Sequence, residues 1–167
     1  MKYLSLLWIC FIGLNLSAQT DNENLNTQLE NMRSAFMEKD FAIVADYTYP
    51  KVLEMMGGKE NMIEVSAASI AKMESQNFIV KSISYEKPSE FLKHNGDLQC
   101  AITQIMVMST PNGNVQNKTV LIAISKDEGE NWVFLDTSGM PRASVEDFYE
   151  NLHPELNLDR GGKKMLD

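Results

Sequence analysis

NFIVKSISYEKPSEFLKHNGDLQCAITQIMVMST, residues 77–110, is where the hydrophobic period of the chain changes, and that change decides the fold. Before it, apolar residues recur every three or four positions, as on one face of a helix; within it they recur every second position, as on one face of a strand. Ile79, Ile83 and Tyr85 point one way and Ser82 and Ser84 the other. A strand is therefore expected from Ile79 to Lys93, kinked or interrupted at Pro88, which has no N–H to give to a ladder. Asn95-Gly96 is the favoured pair for a tight hairpin and leads into a second strand, Leu98 to Ser109. Counted by twos, Leu98, Cys100, Ile102, Gln104, Met106 and Met108 share one face of it.

Towards the C-terminus, Pro111-Asn112-Gly113-Asn114 turns the chain into Val115–Ser125, and Asp127–Asn131, with Gly129 inside it, turns it again into Trp132–Thr137. Four strands joined by short turns make an antiparallel meander. Towards the N-terminus, Leu25, Leu29, Met32 and Phe36 fall on one helical face, ending near Lys39. Asp40 then stands where an N-cap belongs, ahead of Phe41, Ile43, Val44 and Tyr47, with Pro50 marking the end of this second helix. After the break at Met55-Met56-Gly57-Gly58, a third helix follows the stripe Ile63, Ala67, Ile70, Met73 to about Gln76. Helices first and strands afterwards imply α+β, not alternating α/β. In the tail, Ser144 and Asp147 are expected to cap a short helix through Phe148 and Leu152. Past Pro154 the chain reads as loosely held, with residues 161–164 frayed.

The first eighteen residues have the layout of a secretory signal: Lys2, an apolar stretch from Tyr3 to Leu16, and a small-residue exit at Ser17-Ala18. The stretch falls short of the roughly twenty residues that span a bilayer, so no stable membrane insertion is expected once it is removed. Cleavage near Ala18 leaves 149 of the 167 residues, periplasmic or secreted. The division is signal peptide 1–18, one domain over 19–139, and a tail with a short helix over 140–167. A net charge of −8 with no concentrated basic run argues against nucleic acid as a partner. Cys10 leaves with the signal, so Cys100 is the single thiol of the mature chain and reads as a small core hydrophobe.

The Lys39-Asp40 junction, the Gly57-Gly58-Lys59-Glu60 helix entry, the turn Asp127–Trp132 opening the last strand and its end at Asp136-Thr137-Ser138-Gly139 together resemble the nuclear transport factor 2-like superfamily, over roughly Leu25 to Gly139. The likeness is to small exported bacterial members of unknown function. It implies a cystatin-like cone: three N-terminal helices packed on a curved four-stranded antiparallel meander, enclosing a pocket.

For chemistry, His94 and His153 lie in no ligand-spaced cluster, so no metal is expected. Met56-Gly57-Gly58-Lys59 lacks the spacing of a phosphate loop, and no cofactor is expected. Gln104 is the one strongly polar residue on its strand face. A buried amide must find a partner, since an unpaired one costs about 1–3 kcal/mol. Tyr47, Tyr49, Met56, Gln104, Met106, Trp132 and Asp136 are the candidates for a pocket, with Met55, Met62, Met73 and Met108 as further adaptable lining. The expectation is a non-enzymatic module holding a small apolar or mixed ligand or a protein partner. One alternative is a small isomerase or dehydratase, as the ketosteroid isomerase-like branch implies, using Asp46 or Asp136 with a tyrosine or Gln104. The other is a protein-interaction or homodimerisation module.

Overall fold

A computed structural model of the protein describes residues 22–159 and 162–166; the leader, 1–18, lies outside them. Helix α1, Glu23–Glu38, starts where the Asn22 side chain accepts a hydrogen bond from the Leu25 N–H and stops at Lys39, which takes a left-handed φ of 63°. Asp40 then caps α2, Phe41–Asp46, its carboxylate accepting from the Ile43 N–H. Pro50 does not end that helix. It opens another, α3, Pro50–Met55, standing at the position where a missing N–H costs nothing. Helix α4, Lys59–Ser75, follows Gly57 and Gly58. Four helices, not three, thus precede the sheet, because six residues are too few to show a period.

The strands are β1 (Ile79–Tyr85), β2 (Leu92–His94), β3 (Asp97–Thr110), β4 (Gly113–Ser125), β5 (Val133–Asp136) and β6 (Lys163–Leu166), with helix α5, Arg142–Phe148, between the last two. Every pairing is antiparallel. The long hairpin β3–β4 is the spine. β1 and β2 share the outer edge of β3 end to end, separated around Pro88, as the missing N–H requires. β5 and β6 share the outer edge of β4 in the same way. Asn95 and Gly96, with φ of 45° and 91°, make the expected tight turn between β2 and β3.

The expected cone is not there. The sheet has six strands in the order β1-β3-β4-β5, with β2 and β6 on the flanks, and it is neither closed nor curved. Its short strands lie in line, so it is about four strands wide at any level, whereas a closed sheet needs more, about eight around a side-chain-filled interior. The likeness to the nuclear transport factor 2-like superfamily is thereby overturned, and the enclosed cavity goes with it.

Both faces of this flat sheet are covered. On one, Leu25 and Leu29 of α1 pack with Cys100, Ile102, Leu121, Ala123, Trp132 and Phe134. On the other, Ala101, Val120, Ile122, Ile124 and Leu135 meet Val145, Tyr149, Leu152, Leu156 and Leu158. Strand alternation sorts these sets, neighbouring residues going to opposite cores. The tail past Pro154 is therefore a structural element: Leu156 is 1% exposed, and Lys163 and Lys164, expected to fray, belong to β6, which pairs with Asn114–Asn117; Gly161 lies outside the described residues. α5 begins after Pro141 with no side-chain cap, so Ser144 does not play the role expected of it. A bulge between Val80 and Ser82 changes the register of β1. It is Val80, opposite Met108, that joins Ile83 and Tyr85 on the helix-facing side, while Ile79 is displaced to the other.

Candidate functional site

Beyond the dry contact of α1, the helical layer and the sheet diverge and leave an open cleft of about 270 Å3. Met32, Arg33 and Phe36 reach it from α1, Val44 and Thr48 from the α2 end, Val52 from α3 and Met62 from α4. Ile83, Tyr85, Gln104, Met106, Leu121, Phe134 and Asp136 form its sheet side. The helical spacing of Met32 and Phe36 and the two-residue spacing of Gln104 and Met106 bring these side chains to a common space.

Several of its polar groups are already engaged. The Asp136 carboxylate accepts from the Ser138 N–H at 2.8 Å and the Ser138 hydroxyl at 2.6 Å, closing a turn. Thr48 donates back to the Val44 carbonyl at 2.9 Å. Arg33 pairs with Glu30. Gln104 Nε2 reaches only the Thr119 hydroxyl, at 3.4 Å. Burial raises the Tyr85 hydroxyl well above the ordinary tyrosine value, keeping it neutral.

Of the seven sequence-derived candidates, Gln104, Met106 and Asp136 meet in the cleft. Trp132 is an anchor of the α1 core, 2% exposed, its indole N–H donating to the Gly129 carbonyl. Tyr47 lies beside Phe134 against the same core. Tyr49 crosses the sheet edge and packs on Tyr149 and Phe148 in the opposite core. Met56 ends α3. Tyr47 and Tyr49 are separated because residues 47–49 run along the edge of β5, exchanging hydrogen bonds with Phe134. Sequence reasoning missed Met32, Arg33, Phe36, Val44, Thr48, Val52, Ile83, Tyr85, Leu121 and Phe134 as lining. The helical stripe named Met32 and Phe36 but gave no reason to separate a dry half from an open half.

Asp136 is the carboxylate of the cleft lining, its Oδ1 held by Ser138. Glu30, Glu86 and Glu128 are held below the usual carboxylate range chiefly by hydrogen bonds from Arg33, Lys118 and Lys93, and Asp127 by those from the Asn131 backbone and side chain and from Ser125. Asp46 is exposed and pairs with Lys59. Asp97, the buried carboxylate among the described residues, lies on the far face and accepts from Tyr149 and Asn151. The two histidines do come together, ring centres 5.4 Å apart, but no group of three metal-ligating side chains exists among the described residues. No helix among those residues is long and apolar enough to cross a membrane. No protein-family model matches the chain, and no curated protein does.

Proposed function

We propose that the protein is an exported, non-catalytic interaction domain whose open cleft receives an apolar side chain of a protein partner. The observation that carries this reading is an apolar, solvent-open cleft in which Asp136, Thr48 and Arg33 are committed to local hydrogen bonds or ion pairs. Proton transfer needs a positioned acid or base, and the carboxylate of the lining, Asp136, is tied into the Ser138 turn. The cleft, about 270 Å3 and open to solvent, suits one large side chain presented from outside. Export rests on the leader segment, and the buried, unpaired Cys100 is compatible with an oxidising compartment because nothing can reach it.

A photoreactive residue placed at Val44, in the cleft lining, is expected to capture a defined partner protein in cells that make the chain. The same residue at Ala68, on the outer side of α4, is expected to capture none. Equal adducts from both positions would sink the proposal. Export is tested separately by the N-terminal sequence of the extracted protein, which should begin near Gln19; retention of residues 1–18 would overturn it.

A further inference from the structure

We infer that the free outer edge of β1, at Ser82–Tyr85, takes up an extended acidic segment of the partner as an added strand, with one of its apolar side chains entering the cleft. This rests on the cleft being the partner's site and states how the partner is held. Among the described residues β1 pairs with β3 on one side and with no strand on the other, so its outward N–H and C=O groups are open to a further ladder. Beside this edge runs a groove of about 570 Å3 between α1 and residues 83–88. Arg33, Ile83 and Tyr85 line both the groove and the cleft, so the two are continuous. The bulge at Val80–Ser82 confines regular pairing to the stretch beside the cleft.

Charge selects the occupant. Within the groove Glu30 is neutralised by Arg33 and Glu86 by Lys118. Lys81 and Lys87, at the two ends of the edge, make no ion pair among the described residues. In a chain of net charge −8, two free ammonium groups bracketing an open edge favour carboxylates on the incoming strand. In the self-pairing register centred on Ser84 they also oppose a second copy, setting Lys81 of one chain opposite Lys87 of the other, and like charges directly opposite are destabilising.

The probe is an eight-residue peptide of alternating valine and glutamate, compared with its valine–lysine counterpart and with a version methylated at alternate backbone amides. Fluorescence anisotropy at low salt is expected to show the acidic peptide binding at least tenfold more tightly than either. The doubly substituted Lys81→Glu, Lys87→Glu protein, altered only at exposed positions, is expected to invert the charge preference. Equal binding of the methylated peptide, an unchanged preference in that variant, no binding of the acidic peptide, or a dimer by sedimentation would each overturn the inference. Val44→Trp, at a cleft-lining position, separates the two readings. Acidic-peptide binding that responds to the lysine swaps but not to Val44→Trp leaves the edge standing and removes the cleft. Partner capture that survives the lysine swaps removes the edge and leaves the cleft.

Discussion

The two faces of the sheet are built from alternate residues of the same strands, yet one is sealed and the other is half open. The sealed face is pinned by polar contacts. Gln99, fully buried, donates to the Asn151 carbonyl at 2.7 Å and accepts from the His153 N–H at 3.0 Å. Asp97 accepts from the Tyr149 hydroxyl and the Asn151 amide, both at 2.7 Å. Arg142 gathers the Pro154 and Leu156 carbonyls. On the helix-facing side, only α1 is drawn down onto the sheet; α4 packs on α2 and stands off. A face closed by hydrogen bonds at fixed positions has no slack, whereas a face covered by a second tier of helices leaves room.

Removing equal amounts of side chain from the two faces sharpens the contrast. Leu156→Ala, in the sealed core, is expected to cost about 2–5 kcal/mol, read as a large fall in the urea midpoint. Gln99→Leu is next: it strands the Asn151 carbonyl and the His153 N–H, at about 1–3 kcal/mol. Met106→Ala, in the cleft, is expected to cost about 1 kcal/mol or less, since part of the side chain already faces solvent. If Met106→Ala matches Leu156→Ala, the helix-facing side is as closed as the other and the contrast fails.

The smallest effect lies in the turn before β5. Asp127 is exposed, and its hydrogen bonds from Asn131 and Ser125 lower its pKa below the ordinary 3.8. Its contribution is therefore complete above that value and lost as pH falls through the lowered one. Asp127→Asn should flatten the stability profile below about pH 4 and leave neutral pH nearly unchanged, a difference visible in acid titrations of the thermal midpoint. Cys100 offers a check on the dry half of the helix-facing core. Burial pushes its thiol up to about 12, so it should resist thiol reagents at pH 8 until the protein unfolds; rapid native-state reaction would show that the α1 core is open too.

The helix-to-strand change at Phe78, the β3 face from Leu98 to Met108 and the Asn95-Gly96 turn were all legible, because each depends on local period or local φ. The shape of the sheet was not. Open and closed meanders use the same alternation and the same turns, and the difference lies in which short strands share an edge, which no local pattern records. The bulge that exchanged Val80 for Ile79 is likewise invisible, since either residue suits a strand. Leu156 and Leu158 looked loose because Pro154, Asn157 and Asp159 break any period around them, although their partners, Ile122 and Ile124, were already named as part of a strand. For the site, Gln104 and Met106 followed from the two-residue count. Tyr47 and Tyr49 did not separate on paper, because only the β5 edge shows that the chain passes from one face to the other between them.

The bonds that fasten residues 149–153 to residues 94–99 span 52 to 57 positions. A chain growing from its N-terminus therefore exposes Ile122 and Ile124 until Leu158 has been made, several seconds after β4 at about 5–20 residues per second. During that interval the hairpin β3–β4 has one apolar side with nothing to rest on, and the domain stays unfinished. The clasp thus sets an order of events as well as a seal: one apolar side of the sheet stays uncovered until residues 149–158 are available to close it.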